Sequence, residues 1–297
     1  MKPFHPDLAF AAAWLPRSAV TSWTLPLFRR LPFLRARLPE GITRVVRDGV
    51  HIFSGPPTAT PRPALLWIHG GGYVVGRAQQ DDGLCGRLAA ALDAVVVSVD
   101  YRLAPEHPFP APLDDCFAAF ELVHREAAAL GVDPARVAIG GQSAGGGLAA
   151  ALALRIFDAR RPPPVLQLLV YPMLDDRTVL RELDPAMMRV WSPNANRFGW
   201  TSYLGKEPGS ADVPDHAAAA RRVDLRGLPP AWVGVGTNDL FYDEDLAYAA
   251  RLQEAGVATT LEVVDGAFHG FDAVLPNAPV SRAFFEAQVA ALRRAFA

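Results

Sequence analysis

A chain of 297 residues, 51% hydrophobic and 20% charged with a formal net charge of -2, is long enough to bury a sizeable core; its charge balance excludes polyanion binding. Its two cysteines, Cys85 and Cys116, have neither CxxC nor metal-ligand spacing, so no disulfide scaffold or zinc site is indicated, although one Cys85–Cys116 bond stays open. No apolar run approaches the roughly 20 residues needed to cross a bilayer, and the expectation is a single domain over residues 1–297 residing in the cytoplasm.

In chain order, the first forty residues show no strand pattern. LAFAAAWL (8–15) follows Asp7 and lacks a small-residue cleavage site, which argues against a secretion signal. The basic stretch FRRLPFLRAR (28–37) offers a membrane-surface reading, but proline interrupts any long amphipathic face. TRVVRDGVHIFSG (43–55), with Asp48-Gly49 between apolar runs, predicts an antiparallel hairpin, and GPPTATPRP (55–63) predicts a connector. From there apolar runs alternate with helical segments. PALLWIHG (63–70), AVVVSVD (94–100), RVAIGG (136–141), LQLLVYP (166–172), AWVGVG (231–236) and TTLEVVD (259–265) each read as a strand buried on both faces. Helices are expected over 79–92, 112–130, 144–159, 243–255 and 279–296, which implies a mostly parallel sheet with helices on both sides. Residues 1–40 and 175–220 break the alternation and read as a cap over one end of the sheet.

Four strand ends carry residues suited to chemistry. GQSAGG (141–146) places one hydroxyl among small residues between a strand and a helix, as a sharp nucleophile turn requires; an ordinary tight turn is the competing reading. A nucleophilic Ser143 needs a base, an acid to orient it, and donors for an oxyanion. Where a strand-to-helix elbow presents the serine, acid and then histidine follow it in the chain, each from a strand-end loop. Only His216 and His269 follow Ser143. His216 sits among alanines in a polar tail and reads as exposed, whereas His269 lies in DGAFHGF, just beyond a strand and between small and aromatic residues. For the acid, TNDLFYDED offers Asp239, Asp243, Glu244 and Asp245. Asp239 comes first after the strand and is preferred, because Asp243 or Asp245 fits the start of the next helix; Asp265 and Asp272 flank His269 but stand outside the expected order. HGGGYVVG (69–76) bends at another strand end and matches no phosphate-loop pattern, so Gly71 and Gly72, with the amide of Ala144, are the oxyanion candidates and His69 reads as structural. Trp191 and Trp200, and with them Trp14 and Trp23, are candidates for crowding a substrate pocket, with core packing as the alternative.

Taken in order and spacing, HGGGYVVG, DYRLAPEHPFPA (100–111), GQSAGGGLA, GLPPAWVGVGTNDLFYDED and HGF resemble the bacterial hormone-sensitive-lipase-like esterases of the α/β-hydrolase superfamily, from about residue 63 to the end. The resemblance implies an α/β-hydrolase fold with a helical cap and a carboxylic ester hydrolase in which Ser143, Asp239 and His269 are catalytic and Gly71, Gly72 and Ala144 form the oxyanion hole. It implies no metal or organic cofactor, a small-molecule ester as partner, neither nucleic acid nor a membrane span, and leaves a homodimer open. DYRLAPEHPFPA looks like the family's structural segment beneath the oxyanion loop. Two departures stand out: Gln142 where Asp or Thr is usual before the serine, and Leu240 where Pro usually follows the acid. Short- to medium-chain esters are the expected substrates. An amidase or lactonase would use the same parts, and a non-catalytic ligand-binding receptor on this scaffold is the reading from another class.

Overall fold

Asp48 and Gly49 both hold positive φ, 51° and 74°, and turn Thr43–Arg47 (β1) back onto Val50–Ser54 (β2) as the two-residue hairpin signal predicts. In this computed structural model, residues 3–17, 20–21, 23–30 and 36–297 are described. Six further strands follow: Arg62–Ile68 (β3), Val95–Val99 (β4), Val132–Gln142 (β5), Gln167–Val170 (β6), Ala231–Gly236 (β7) and Thr259–Val264 (β8). The sheet order is β1-β2-β4-β3-β5-β6-β7-β8; β2 is antiparallel to both neighbours, and the pairs from β4 through β8 are all parallel. Helices are Pro6–Trp14 (α1), Leu25–Arg30 (α2), Asp82–Leu92 (α3), Ala111–Arg125 (α4), Ala127–Leu130 (α5), Ala144–Asp158 (α6), Pro193–Leu204 (α7), Tyr242–Glu254 (α8), Phe271–Val274 (α9) and Pro279–Phe296 (α10).

Alternation along the strands sorts the core into two layers. Leu65 and Trp67 of β3 pack with α3, α10 and α1, while Leu66 and Ile68 of the same strand pack with α4, α6 and α8. Cys85 lies in the first layer and Cys116 in the second, so the sheet separates them and both are free thiols. The expectation that every parallel strand is buried on both faces fails for β8. It is an outer strand paired with β7, and Leu261 and Val263 remain 36% and 38% exposed.

Residues 175–220 leave the sheet after β6 and return before β7, and buried polar contacts close their base. Arg221 grips the fully buried Asp176 carboxylate from two nitrogens at 2.6 and 2.9 Å. Glu244 of α8 accepts the Leu174 and Asp175 N–H groups at 2.7 and 3.1 Å and the Thr178 hydroxyl. The N-terminal segment meets this excursion: α1 buries Leu8 and Ala12, Arg189 donates to the Ala12 carbonyl at 2.6 Å, and Val190 N–H donates to Pro16 at 3.1 Å. Of FRRLPFLRAR, residues 31–35 lie outside the described residues. Arg29 is turned inward, donating to the Val74 and Ala104 carbonyls at 2.8 and 2.6 Å and pairing with Glu106 at 2.7 Å.

Candidate active site

At the carboxyl end of β5 the chain reverses into α6 through Ser143, at φ 57° and ψ -123°. A non-glycine residue held there costs on the order of 1–3 kcal/mol and persists only when its surroundings over-determine it. They do so through backbone contacts: Ser143 N–H donates to Val170 at 2.9 Å, and its carbonyl accepts from Gly147 and Met173, both at 3.0 Å. Gly145 is obligatory because a Cβ there would stand 2.1 Å from the Ile68 carbonyl oxygen, where α6 crosses β3. The first amides of α6, that of Ala144 among them, have no intrahelical acceptor.

The loops after β7 and β8 bring the other two groups to this turn. Ser143 Oγ lies 2.8 Å from His269 Nε2, and His269 Nδ1 lies 2.8 Å from Asp239 Oδ2. Because the carboxylate accepts, Nδ1 carries the proton and Nε2 offers its lone pair to the serine hydroxyl. The other oxygen of Asp239 accepts Phe241 N–H at 2.9 Å, which fixes the carboxylate, and the rings of Tyr171 and Phe241 meet the imidazole edge-on at 4.9 and 5.2 Å. All three residues are buried, with exposures of 7% for Ser143, 5% for His269 and 6% for Asp239, so their interaction is little weakened by solvent.

Opposite them, β3 ends in the glycine loop. Its fold back on itself, with Val74 and Val75 N–H donating to the Gly71 carbonyl at 3.1 and 3.0 Å, leaves the Gly71 and Gly72 amides without an acceptor among the described residues. Gly72 has φ 58°, and a Cβ on it would stand 2.1 Å from the Trp191 ring, so the indole lies directly on the loop. His69 stacks on Tyr101 at 4.2 Å and bonds the Gly70 carbonyl at 2.7 Å; burial lowers its pKa to about 4, which leaves it neutral, in a structural role.

The remaining sequence candidates divide. Trp200 is fully buried against Tyr73 and Tyr203, with ring centroids 5.3 and 6.0 Å away, which is core packing, whereas Trp14 and Trp23 are 82% and 92% exposed. His216 pairs with Asp158 at 2.9 Å, away from the serine, and Asp243 pairs with Arg181 at 3.5 Å. Asp243 and Asp245 both stand in the first turn of α8, as expected, although Phe241 holds the cap position; Asp245 is fully buried, its carboxyl pushed well up by desolvation. The imidazole Nδ1 is taken by Asp239 rather than by Asp265 or Asp272. Sequence reasoning missed Asp81. Its carboxylate, pushed up to about 7 by burial, accepts Trp67 Nε1 at 2.8 Å and Gln142 Nε2 at 2.9 Å. An aspartate at 142 would set two buried carboxylates together, so the unusual Gln142 was itself the signal of an acid beneath it.

The family model described as alpha/beta hydrolase fold matches residues 65–273. Carboxylesterase NlhH of Mycobacterium tuberculosis is 36% identical over 263 residues, covering 86% of this chain and 80% of that protein. Ethyl acetate hydrolase of Pseudomonas putida is 36% identical over 231 residues, covering 73% of this chain and 69% of its own. Among solved structures, a bacterial heroin esterase superposes with a TM-score of 0.88 at 36% identity, covering 99% of this chain and 98% of that one. Esterase LipW from Mycobacterium marinum superposes at 0.84 with 33% identity, covering 99% and 96%.

Proposed function

The chain belongs to the α/β-hydrolase fold family, in its hormone-sensitive-lipase-like branch, and from that premise we propose that Ser143, His269 and Asp239 carry out its hydrolysis of carboxylic esters through an acyl-enzyme. The enzyme is a serine esterase, and the observation supporting this assignment of residues is the unbroken 2.8 Å and 2.8 Å chain from hydroxyl to imidazole to carboxylate. His269 Nε2 takes the Ser143 proton as Oγ attacks the ester carbonyl, and Asp239 stabilises the imidazolium that forms. The carbonyl oxygen, now negative, is held by the Gly71, Gly72 and Ala144 amides, whose fixed orientation needs no reorganisation when charge develops. The imidazolium gives its proton to the departing alkoxide. Water then repeats the sequence on the acyl carbonyl and frees the acid.

Residues 1–40 and 175–220 serve in this reading as the cap, and Trp191, seated on the oxyanion loop, limits the acyl chain to short or medium length. Trp200 supports that wall from behind. Cytoplasmic residence and a homodimer belong to the same proposal; among the described residues no helix is long and apolar enough to cross a membrane. The test is a panel of p-nitrophenyl esters of increasing acyl length, beside an aryl amide and a lactone, with the parent and Ser143→Ala enzymes. Ester turnover that falls off with chain length and vanishes with Ser143 is the expected result. Turnover that survives the substitution, or that favours the amide, would sink it.

A further inference from the structure

We propose that Tyr171 is a positioning residue of the hydrolytic site, its hydroxyl tying the nucleophile turn to the loop that carries the base and its ring setting the plane of the imidazole. The proposal rests on the assignment of Ser143 and His269 above. Tyr171 follows β6 at φ 35°, a backbone setting that a bulky residue rarely adopts. Its N–H is fixed on the Gly234 carbonyl at 2.7 Å, and its ring lies parallel to Phe284 with centroids 6.4 Å apart. The strained turn aims the ring edge at His269, 4.9 Å away at 66°. The hydroxyl then stands 2.7 Å from Asp272 Oδ1 and 3.3 Å from Gln142 Oε1. Gln142 immediately precedes the nucleophile, and Asp272 is the second residue of α9, three residues beyond the base.

Gln142 is anchored in turn by Asp81, and Asp81 by Trp67, at 2.9 and 2.8 Å. A polar chain, Trp67–Asp81–Gln142–Tyr171–Asp272, therefore runs beside Ser143–His269–Asp239 and joins the same two loops. The two chains differ in what the reaction does to them. The Ser143–His269 hydrogen bond must break and re-form in each half-reaction as the proton moves, so it cannot keep the loops registered throughout the cycle. The Tyr171 bridge exchanges no proton with substrate and stays intact. Burial and the neighbouring Asp272 carboxylate keep its phenol protonated, and that single proton is shared between two acceptors, chiefly Asp272 Oδ1 at 2.7 Å with a weaker branch to Gln142 Oε1 at 3.3 Å.

Tyr171→Phe keeps the ring and removes the bridge. With p-nitrophenyl butyrate, kcat and kcat/KM should fall together on the order of tenfold, the pattern of a lost alignment rather than of lost substrate binding. Asp272→Ala should match that loss, Asp272→Asn, whose carbonyl still accepts, should recover most of it, and Tyr171→Phe with Asp272→Ala should do no more harm than the worse single change. Organophosphate titration of active serine corrects each rate for misfolded enzyme. A Tyr171→Phe enzyme within twofold of the parent, a rise in KM alone, or losses that multiply in the double variant would overturn the inference. Ser143→Ala separates the two levels: turnover in that variant within about tenfold of the parent refutes the functional assignment, whereas a loss on the order of 10³-fold in Ser143→Ala beside an unimpaired Tyr171→Phe refutes this inference only.

Discussion

Around Ser143 the chain is held backbone against backbone, with carbonyls of β3 and β6 and the glycines of the turn in contact that leaves no room for a methyl group. Across residues 175–220 it is held by polar side chains: the Asp176–Arg221 ion pair, and Glu244 accepting the amides at the start of the excursion. The first kind of cohesion is tolerant of salt and pH and intolerant of any added atom. The second accepts changes of shape but depends on protonation and on keeping both partners of a pair. On the proposed assignment, chemistry is thus seated in the rigid part and coverage in the adjustable part.

The sharpest way to break this comparison is at the serine. Ser143→Ala should lower ester turnover by on the order of 10³-fold or more while leaving the thermal midpoint nearly unchanged, because the covalent route goes and the packing stays. Next is the meeting point of the two parts. Gly72→Ala drives a Cβ into Trp191 and strains a positive φ, and kcat/KM should fall by about 10²-fold as an oxyanion donor shifts. Adding Trp191→Ala should return part of that loss by relieving the clash. A Gly72→Ala enzyme of full activity would mean that the loop amide is not used.

Within the covering part, Arg221→Met leaves the Asp176 carboxylate buried and unpaired and should destabilise the fold by about 3 kcal/mol in urea denaturation. Its effect on kcat per active site should be smaller than that of either change above. The mildest effect is on pH. Burial pushes Glu244 from an ordinary 4.5 up to about 8 and Asp81 from 3.8 up to about 7. Both folded values exceed the unfolded ones, so the folded state binds more protons between them. The stability tied to these groups is complete below about pH 4 and is lost as pH rises toward 8. Thermal midpoints should decline from pH 5 to pH 8, and Glu244→Gln should flatten that slope. A midpoint that climbs over the same interval would contradict the assignment.

What could be read from sequence follows the same division. The hairpin, the strands and the long helices are legible because apolar period and turn residues are local signals, and the elbow, the glycine loop and the meeting of Ser143, Asp239 and His269 because each sits at a strand end. The face exposure of β8 was not legible: TTLEVVD reads as a buried strand, and only the sheet order reveals that it is an edge. Trp191 and Trp200 are nine residues apart in one segment, yet one lies on the glycine loop and the other in the core, a difference set by where α7 docks. The Asp81–Gln142–Tyr171–Asp272 contacts draw on four separate segments, so periodicity could not announce them. Gln142 alone, by departing from the Asp or Thr usual before the serine, left a trace.

The closure of residues 175–220 by one buried ion pair has an evolutionary consequence. With its entry and exit fastened side by side, the excursion behaves as an insertion whose contents can be lengthened, shortened or replaced without re-threading a strand. Descendants of such a chain can drift in what they admit while inheriting unaltered the apparatus that cleaves it.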